Sequence, residues 1–266
     1  MKWIAIICMT LDHIASFFSE LMPLELYYLF RIAGRFAFPI FAYSIVLGYK
    51  RTRSKTRYFL RLLVAAIATQ LIFEWIFWNA RISVIVNVLF TMAMGVALLF
   101  FYDNLRKAFK KKKLFRGVIS IVGIATLVTC SIYFEPDFGI WGLVIILLFY
   151  IWHGQEPILG ESFTDRNIHP KLRKTTFQQV WPYALSIFAV QNAYNIVDFI
   201  TTPKITEYTW FNAGVRLMAT LGAWGFPSMH HTRKPHKWEK YFFYVYYPAH
   251  FAIIMWIASQ TFGPQF

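Results

Sequence analysis

Runs of about twenty apolar residues recur along the whole chain, separated by short clusters of lysine and arginine. A helix needs about 20 residues to cross ~30 Å of hydrocarbon, so each run matches one crossing. With 266 residues, 58% hydrophobic and only 15% charged, the chain is far more apolar than a soluble domain of its size. The expected class is an all-α polytopic integral membrane protein forming a single domain over residues 1–266.

The run boundaries predict nine spans: Trp3–Met22, Leu26–Gly48, Tyr58–Trp78, Ile82–Tyr102, Val118–Phe134, Phe138–Trp152, Phe177–Ile200, Phe211–Phe226 and Tyr241–Gln260. The sixth and eighth are short for a crossing and call for tilt or a re-entrant path. The first run has one lysine before it and no small-residue cleavage site after it, so it reads as a retained helix and not a signal peptide. Cys8 and Cys130 fall inside apolar runs without metal-ligand spacing.

The basic residues test this count, because cytoplasmic loops carry the Lys and Arg excess. Lys2, the segment from Lys50 to Arg61, the run from Arg106 to Arg116, Arg166 to Lys174, and Arg233 to Lys240 fall on one side. Only Arg81 and Lys204 fall on the other. The N-terminus is therefore expected in the cytoplasm and the C-terminus outside. The net charge of +14 follows from these loops facing an anionic leaflet, and no nucleic-acid recognition module is present. Trp75, Trp78, Tyr27, Tyr28, Trp152 and Trp210 lie near the predicted interfaces. No internal repeat appears.

Once the loops are assigned, Asp12, His13, Arg31, Arg35, Glu74, Asp198, Arg216 and His250 remain inside spans, where ionisable groups are costly and usually functional. At 1.5 Å per residue, His13 lies about 16 Å and His250 about 13 Å from the cytoplasmic face, while Arg31 and Arg216 lie about 8 Å from the outer one. Arg31 and Arg35 are four apart and share a helical stripe. Two adjacent cations need an anion between them, and Asp12, Glu74 or Asp198 could supply it. Asp12 and His13 are successive and point about 100° apart, so Asp12 is expected to answer a charge on another helix. Gln191, Tyr194, Asn195 and Asp198 form a polar stripe on the seventh span, and Tyr246 and Tyr247 share a face with His250. A structural ion-pair network is the competing account. The loop "SMHHTRKPHKW", with His230, His231 and His236, lacks the framework of a metal site, and no metal is expected.

Three stretches resemble one family. "IAIICMTLDHIA", "FRIAGRFAFPIFAYSIVLGYKRTRSKTRYFLRLL" and "KYFFYVYYPAHFAII" are similar to the opening helix, the second helix with its basic loop, and the closing helix of the TraX family. That family is named for the enzyme that acetylates the amino terminus of F-type conjugative pilin. Together the stretches cover about a quarter of the chain. The resemblance implies a bacterial inner-membrane acetyltransferase that takes an acetyl group from cytoplasmic acetyl-CoA. Its acceptor would be an amine or hydroxyl, on a pilin-like peptide or a cell-surface glycan, reached from the membrane or the outer side. His13 matches the catalytic position, Arg31 and Arg35 the second-helix arginines, and His250 the histidine of the last helix.

On that basis His13 is expected to act as base, Arg35 to contact the oxyanion, and Asp12 to pair with an arginine. Arg31 and Arg216 would position the acceptor, with Tyr247 and His250 closing the far wall. Lys50, Arg51, Arg53 and Arg57 would meet the CoA phosphates. The alternative is a proton-coupled transporter or lipid flippase using the same buried groups.

Overall fold

The computed structural model describes residues 2–77, 86–155, 176–201, 217–223 and 237–262. All regular structure among them is helical. The helices are α1 (Lys2–Phe17), α2 (Leu24–Gly34), α3 (Ala37–Arg51), α4 (Lys55–Phe77), α5 (Val88–Lys110), α6 (Leu114–Tyr133), α7 (Gly139–Gln155), α8 (Thr176–Thr201) and α9 (Lys237–Phe262), with a one-turn helix at Ser19–Leu21. Among the described residues, five segments are long and apolar enough to cross a membrane: Leu24–Arg51, Lys55–Trp75, Val88–Lys110, Leu114–Tyr133 and Tyr241–Phe262. Trp3–Phe17 and Gly139–His153 are apolar but shorter.

Helix α3 forms the centre, with ten of its 15 residues buried, packed against α1, α5 and α7. Helix α6 lies at the edge. It buries only Ser120 and Ser131 and turns Val118, Ile119, Ile121 and Val122 outward, as a helix in lipid does.

Several predicted boundaries move, each for a local reason. The second span is not one helix. Pro39 has no N–H, and its ring would clash with the Arg35 carbonyl in a continuous helix, so α2 ends at Gly34 and α3 begins at Ala37. The N–H groups of Arg35 and Phe36 close the tight turn onto the carbonyls of Ile32 (3.2 Å) and Ala33 (3.0 Å). The first span stops at Phe17, short of Met22.

The fourth begins at Val88, well after Ile82, because Asn87 caps it by accepting from the Leu89 N–H at 3.1 Å. The same buried Asn87 donates to the Ala66 carbonyl (3.0 Å) and the Gln70 side chain (3.1 Å), tying α5 to α4. Helix α5 runs on to Lys110 and ends in a Schellman turn. There Lys113 N–H bonds the Ala108 carbonyl at 3.0 Å and Lys112 stands in the left-handed region at φ 52°. Of the predicted span Phe211–Phe226, only 217–223 lies within the described residues, of which 217–222 are helical.

Candidate functional site

Helices α1 and α9 run parallel and meet through polar side chains. The Thr10 hydroxyl donates to the Ile6 carbonyl (2.9 Å), so its oxygen accepts from the Tyr246 hydroxyl (2.8 Å). One turn further, His13 Nδ1 and His250 Nε2 are 2.8 Å apart. His250 Nδ1 faces the Tyr246 carbonyl at 2.8 Å. A carbonyl only accepts, so His250 Nδ1 carries the proton; in the neutral ring Nε2 is then the acceptor, and the bond requires a proton on His13 Nδ1. The remaining lone pair of a neutral His13 is on Nε2. The rings lie within 15° of parallel with centroids 5.1 Å apart, the separation an edge-to-edge bond of that length gives between rings sharing a plane.

Aromatic rings enclose this dyad. Tyr246 stacks on His250 (4.8 Å, 8°), Tyr247 meets both imidazoles edge-on, and Phe251 packs edge-on to His13 at 4.7 Å. Phe73 of α4 backs Phe251 at 4.1 Å. The two phenols expected on the face of His250 are there.

Asp12 points away from His13 and onto α2. Its Oδ1 accepts from Arg31 Nη1 at 2.9 Å, in a pair whose side chains are 19% and 22% exposed. Ser16 braces it, accepting from Arg31 Nη1 at 2.6 Å and donating to the Asp12 carbonyl at 2.9 Å. The close approach depends on Gly34, since a Cβ there would lie 2.3 Å from Asp12 Cβ and 2.6 Å from Oδ1. Arg31 and Arg35 thus face the same carboxylate. Arg31 bonds it, while Arg35, on the turn after α2, acts on it through space. Arg35 Nε is buried without a hydrogen-bond partner. Glu74, another candidate for this role, is exposed.

Asp137 belongs to the site and was missed by the sequence reading. It sits between α6 and α7, where its N–H donates to the Val86 carbonyl (2.8 Å) and its own carbonyl accepts from Thr91 Oγ1 (2.5 Å). Phe138 adopts φ 65°, uncommon for a bulky residue, and is held there by its ring stacked on Phe38 (3.8 Å, 10°). Asp137 is exposed, with protein packed around its carboxyl. Burial pushes its carboxyl above the ordinary range, Arg35 pulls it back, and Asp12 pushes it up again. The Tyr247 phenol interacts electrostatically with both Asp137 and Asp12. Asp12, His13, Arg31, Arg35, Asp137, Tyr247 and His250 therefore converge.

Helix α1 ends only four residues past His13, about 6 Å, so the dyad lies closer to the α1–α2 turn than a full-length first span implies. Arg61 and Tyr244 line one groove, and Phe73 meets Phe251, so α4 runs parallel to α9 as well. The α1–α2 turn and the Asp137 loop are consequently at the end of the bundle opposite the starts of α1, α4 and α9.

The basic segment is separate from this site. Arg51, Arg53 and Arg57 are exposed, and Lys50 lies 5.1 Å over the Tyr150 ring. Nearby, Asp103 accepts from the hydroxyls of Tyr49 (3.0 Å) and Tyr150 (2.6 Å), a clasp joining α3, α5 and α7. Arg216, His230, His231 and His236 lie outside the described residues, as do the side chains of Tyr194, Asn195 and Asp198. Among the described residues no three His, Cys, Asp or Glu side chains form a metal-binding group.

The sequence model of the family described as TraX protein matches residues 1–161. Comparison with curated proteins and with solved structures returned no match.

Proposed function

Because the chain belongs to the TraX family, we propose that it is a membrane-embedded acetyltransferase, moving an acetyl group from cytoplasmic acetyl-CoA to an amine or hydroxyl acceptor. A pilin-like peptide or a cell-surface glycan, approaching from the side of the α1–α2 turn, would be the acceptor. The observation that carries this reading is the chain Tyr246 carbonyl, His250, His13, which leaves His13 Nε2 as a base. An imidazole nitrogen with a free lone pair can take a proton and return it.

His13 Nε2 takes the proton of the acceptor as its nitrogen or oxygen bonds the acetyl carbon. The thioester C–S bond then breaks, and the same nitrogen returns the proton to the departing thiolate. His250 spreads the transient charge of His13 toward the Tyr246 carbonyl, the role an orienting group plays behind a catalytic histidine. Arg35 is the donor for the oxyanion, because its Nε has no partner to give up. Arg31 is occupied by Asp12 and serves as a strut. The aromatic enclosure excludes water, which would hydrolyse the thioester. Lys50, Arg51, Arg53 and Arg57 suit the phosphates of acetyl-CoA in charge.

A second reading, a proton-coupled transporter or flippase, draws on the break between α2 and α3, since discontinuous helices mark many transporter sites. Labelled acetyl-CoA with the protein in proteoliposomes separates the two. Transfer to a peptide or glycan acceptor that disappears in His13→Ala supports the enzyme. CoA release that no acceptor stimulates, together with unaltered behaviour of His13→Ala, overturns it.

A further inference from the structure

Between α4 and α9 runs a groove of about 400 Å³, lined by Leu60, Arg61, Val64 and Ala68 on one side and Tyr244 and Pro248 on the other. It exists because Ala68 and Pro248 are too small to fill the seam. Beyond them, Phe73 and Phe251 meet at 4.1 Å and close it. Leu60 and Val64 are 48% and 65% exposed, so the groove opens sideways, where lipid lies.

Arg61 is anomalous in this wall. It lies about 9 Å along α4 from Lys55, and its Nε is buried without a hydrogen-bond partner. Among the described residues it makes no ion pair; the groups that sense its charge are the phenols of Tyr58 and Tyr244. A guanidinium in a low-dielectric wall needs an anion, and its planar fork matches a phosphate. Past Arg61 the lining is aliphatic. An arm containing amides would leave them unsatisfied there, whereas an acyl chain would not.

We propose that this seam holds one anionic phospholipid, its phosphate on Arg61 and one acyl chain along Leu60, Val64 and Ala68 toward Pro248. The site is independent of the histidine dyad, and the proposal does not rest on acetyl transfer.

The test is native mass spectrometry of the full chain released from micelles doped with phosphatidylglycerol or phosphatidylcholine. One phosphatidylglycerol is expected to stay bound, with phosphatidylcholine lost. Arg61→Gln should weaken retention about fivefold, the weight of one arginine against an anionic headgroup, while Arg61→Lys keeps most of it. Val64→Trp, at an exposed position with Arg61 intact, should block the groove and lower retention of the same lipid even if Arg61→Gln fails to fold. Equal retention of both lipids, retention indifferent to Val64→Trp, or displacement of phosphatidylglycerol by millimolar inorganic phosphate would each overturn the assignment, the last pointing to a soluble phosphate group.

Discussion

Gly34→Ala should damage the site without replacing any charged residue. The added Cβ would sit 2.3 Å from Asp12 Cβ and 2.5 Å from Cγ, where carbon atoms pack at ~3.5–4.0 Å. Helices α1 and α2 must therefore separate by more than ~1 Å, or Asp12 must swing. Either movement takes the 2.9 Å Arg31–Asp12 bond beyond hydrogen-bonding range. Overpacking costs about 1–3 kcal/mol. Breaking a fully buried pair costs ~3–5 kcal/mol, less here because each partner keeps about a fifth of its surface exposed. A total near 3 kcal/mol is expected.

A displacement of ~1 Å next to the base should also lower acetyl transfer about a hundredfold. The assay is a double-mutant cycle with Asp12→Gly, which removes the atoms the new Cβ would strike, read by thermal unfolding in detergent. Gly34→Ala should cost at least ~1 kcal/mol less in the Asp12→Gly background than in the wild type, outside the ~0.5 kcal/mol within which independent sites add. Strict additivity, or a Gly34→Ala protein with wild-type stability and transfer, would refute the reasoning.

Three further outcomes follow from the geometry. Asp137 has a raised pKa, so the folded state binds its proton more tightly than the unfolded chain; its contribution to stability is fully present below about pH 4 and is lost as pH rises through the raised value. Asp137→Asn should flatten that part of the stability profile, seen in melts from pH 3 to 7. Lys112 occupies a left-handed position at φ 52° where a side chain costs ~1–2 kcal/mol, so Lys112→Gly should raise stability by about 1 kcal/mol in denaturant titration. Asn87→Ala removes a cap and the side-chain bonds to Gln70 and the Ala66 carbonyl; a loss of about 2 kcal/mol is expected by the same titration.

Which residues meet at the site was largely legible before any fold was known, and their partners were not. Intramembrane placement marked Asp12, His13, Arg31, Arg35 and His250, and the angle between successive residues correctly sent Asp12 to another helix. That its partner is Arg31 depends on α1 packing against α2 at Gly34, a contact between helices that one helix's periodicity cannot encode. The break at Arg35 was hidden inside a mostly apolar run long enough for one crossing, although Pro39, at a place allowed only in a first helical turn, is a signal that could have found it. Asn87 before an apolar run was a similar cap signal for α5. Asp137 could not have been found this way, since a single acid in a short loop has no period and joins the site only through Val86 and Thr91.

The reversal from Phe18 to Pro23 begins one residue after α1 ends. In the reaction proposed above, proton handling falls to residues pinned inside the bundle, whereas this short reversal and the Asp137 loop form its rim. Selection of what reaches the histidines can therefore drift with the rim's sequence, leaving the buried pair unchanged, and proteins with the same dyad need not share an acceptor.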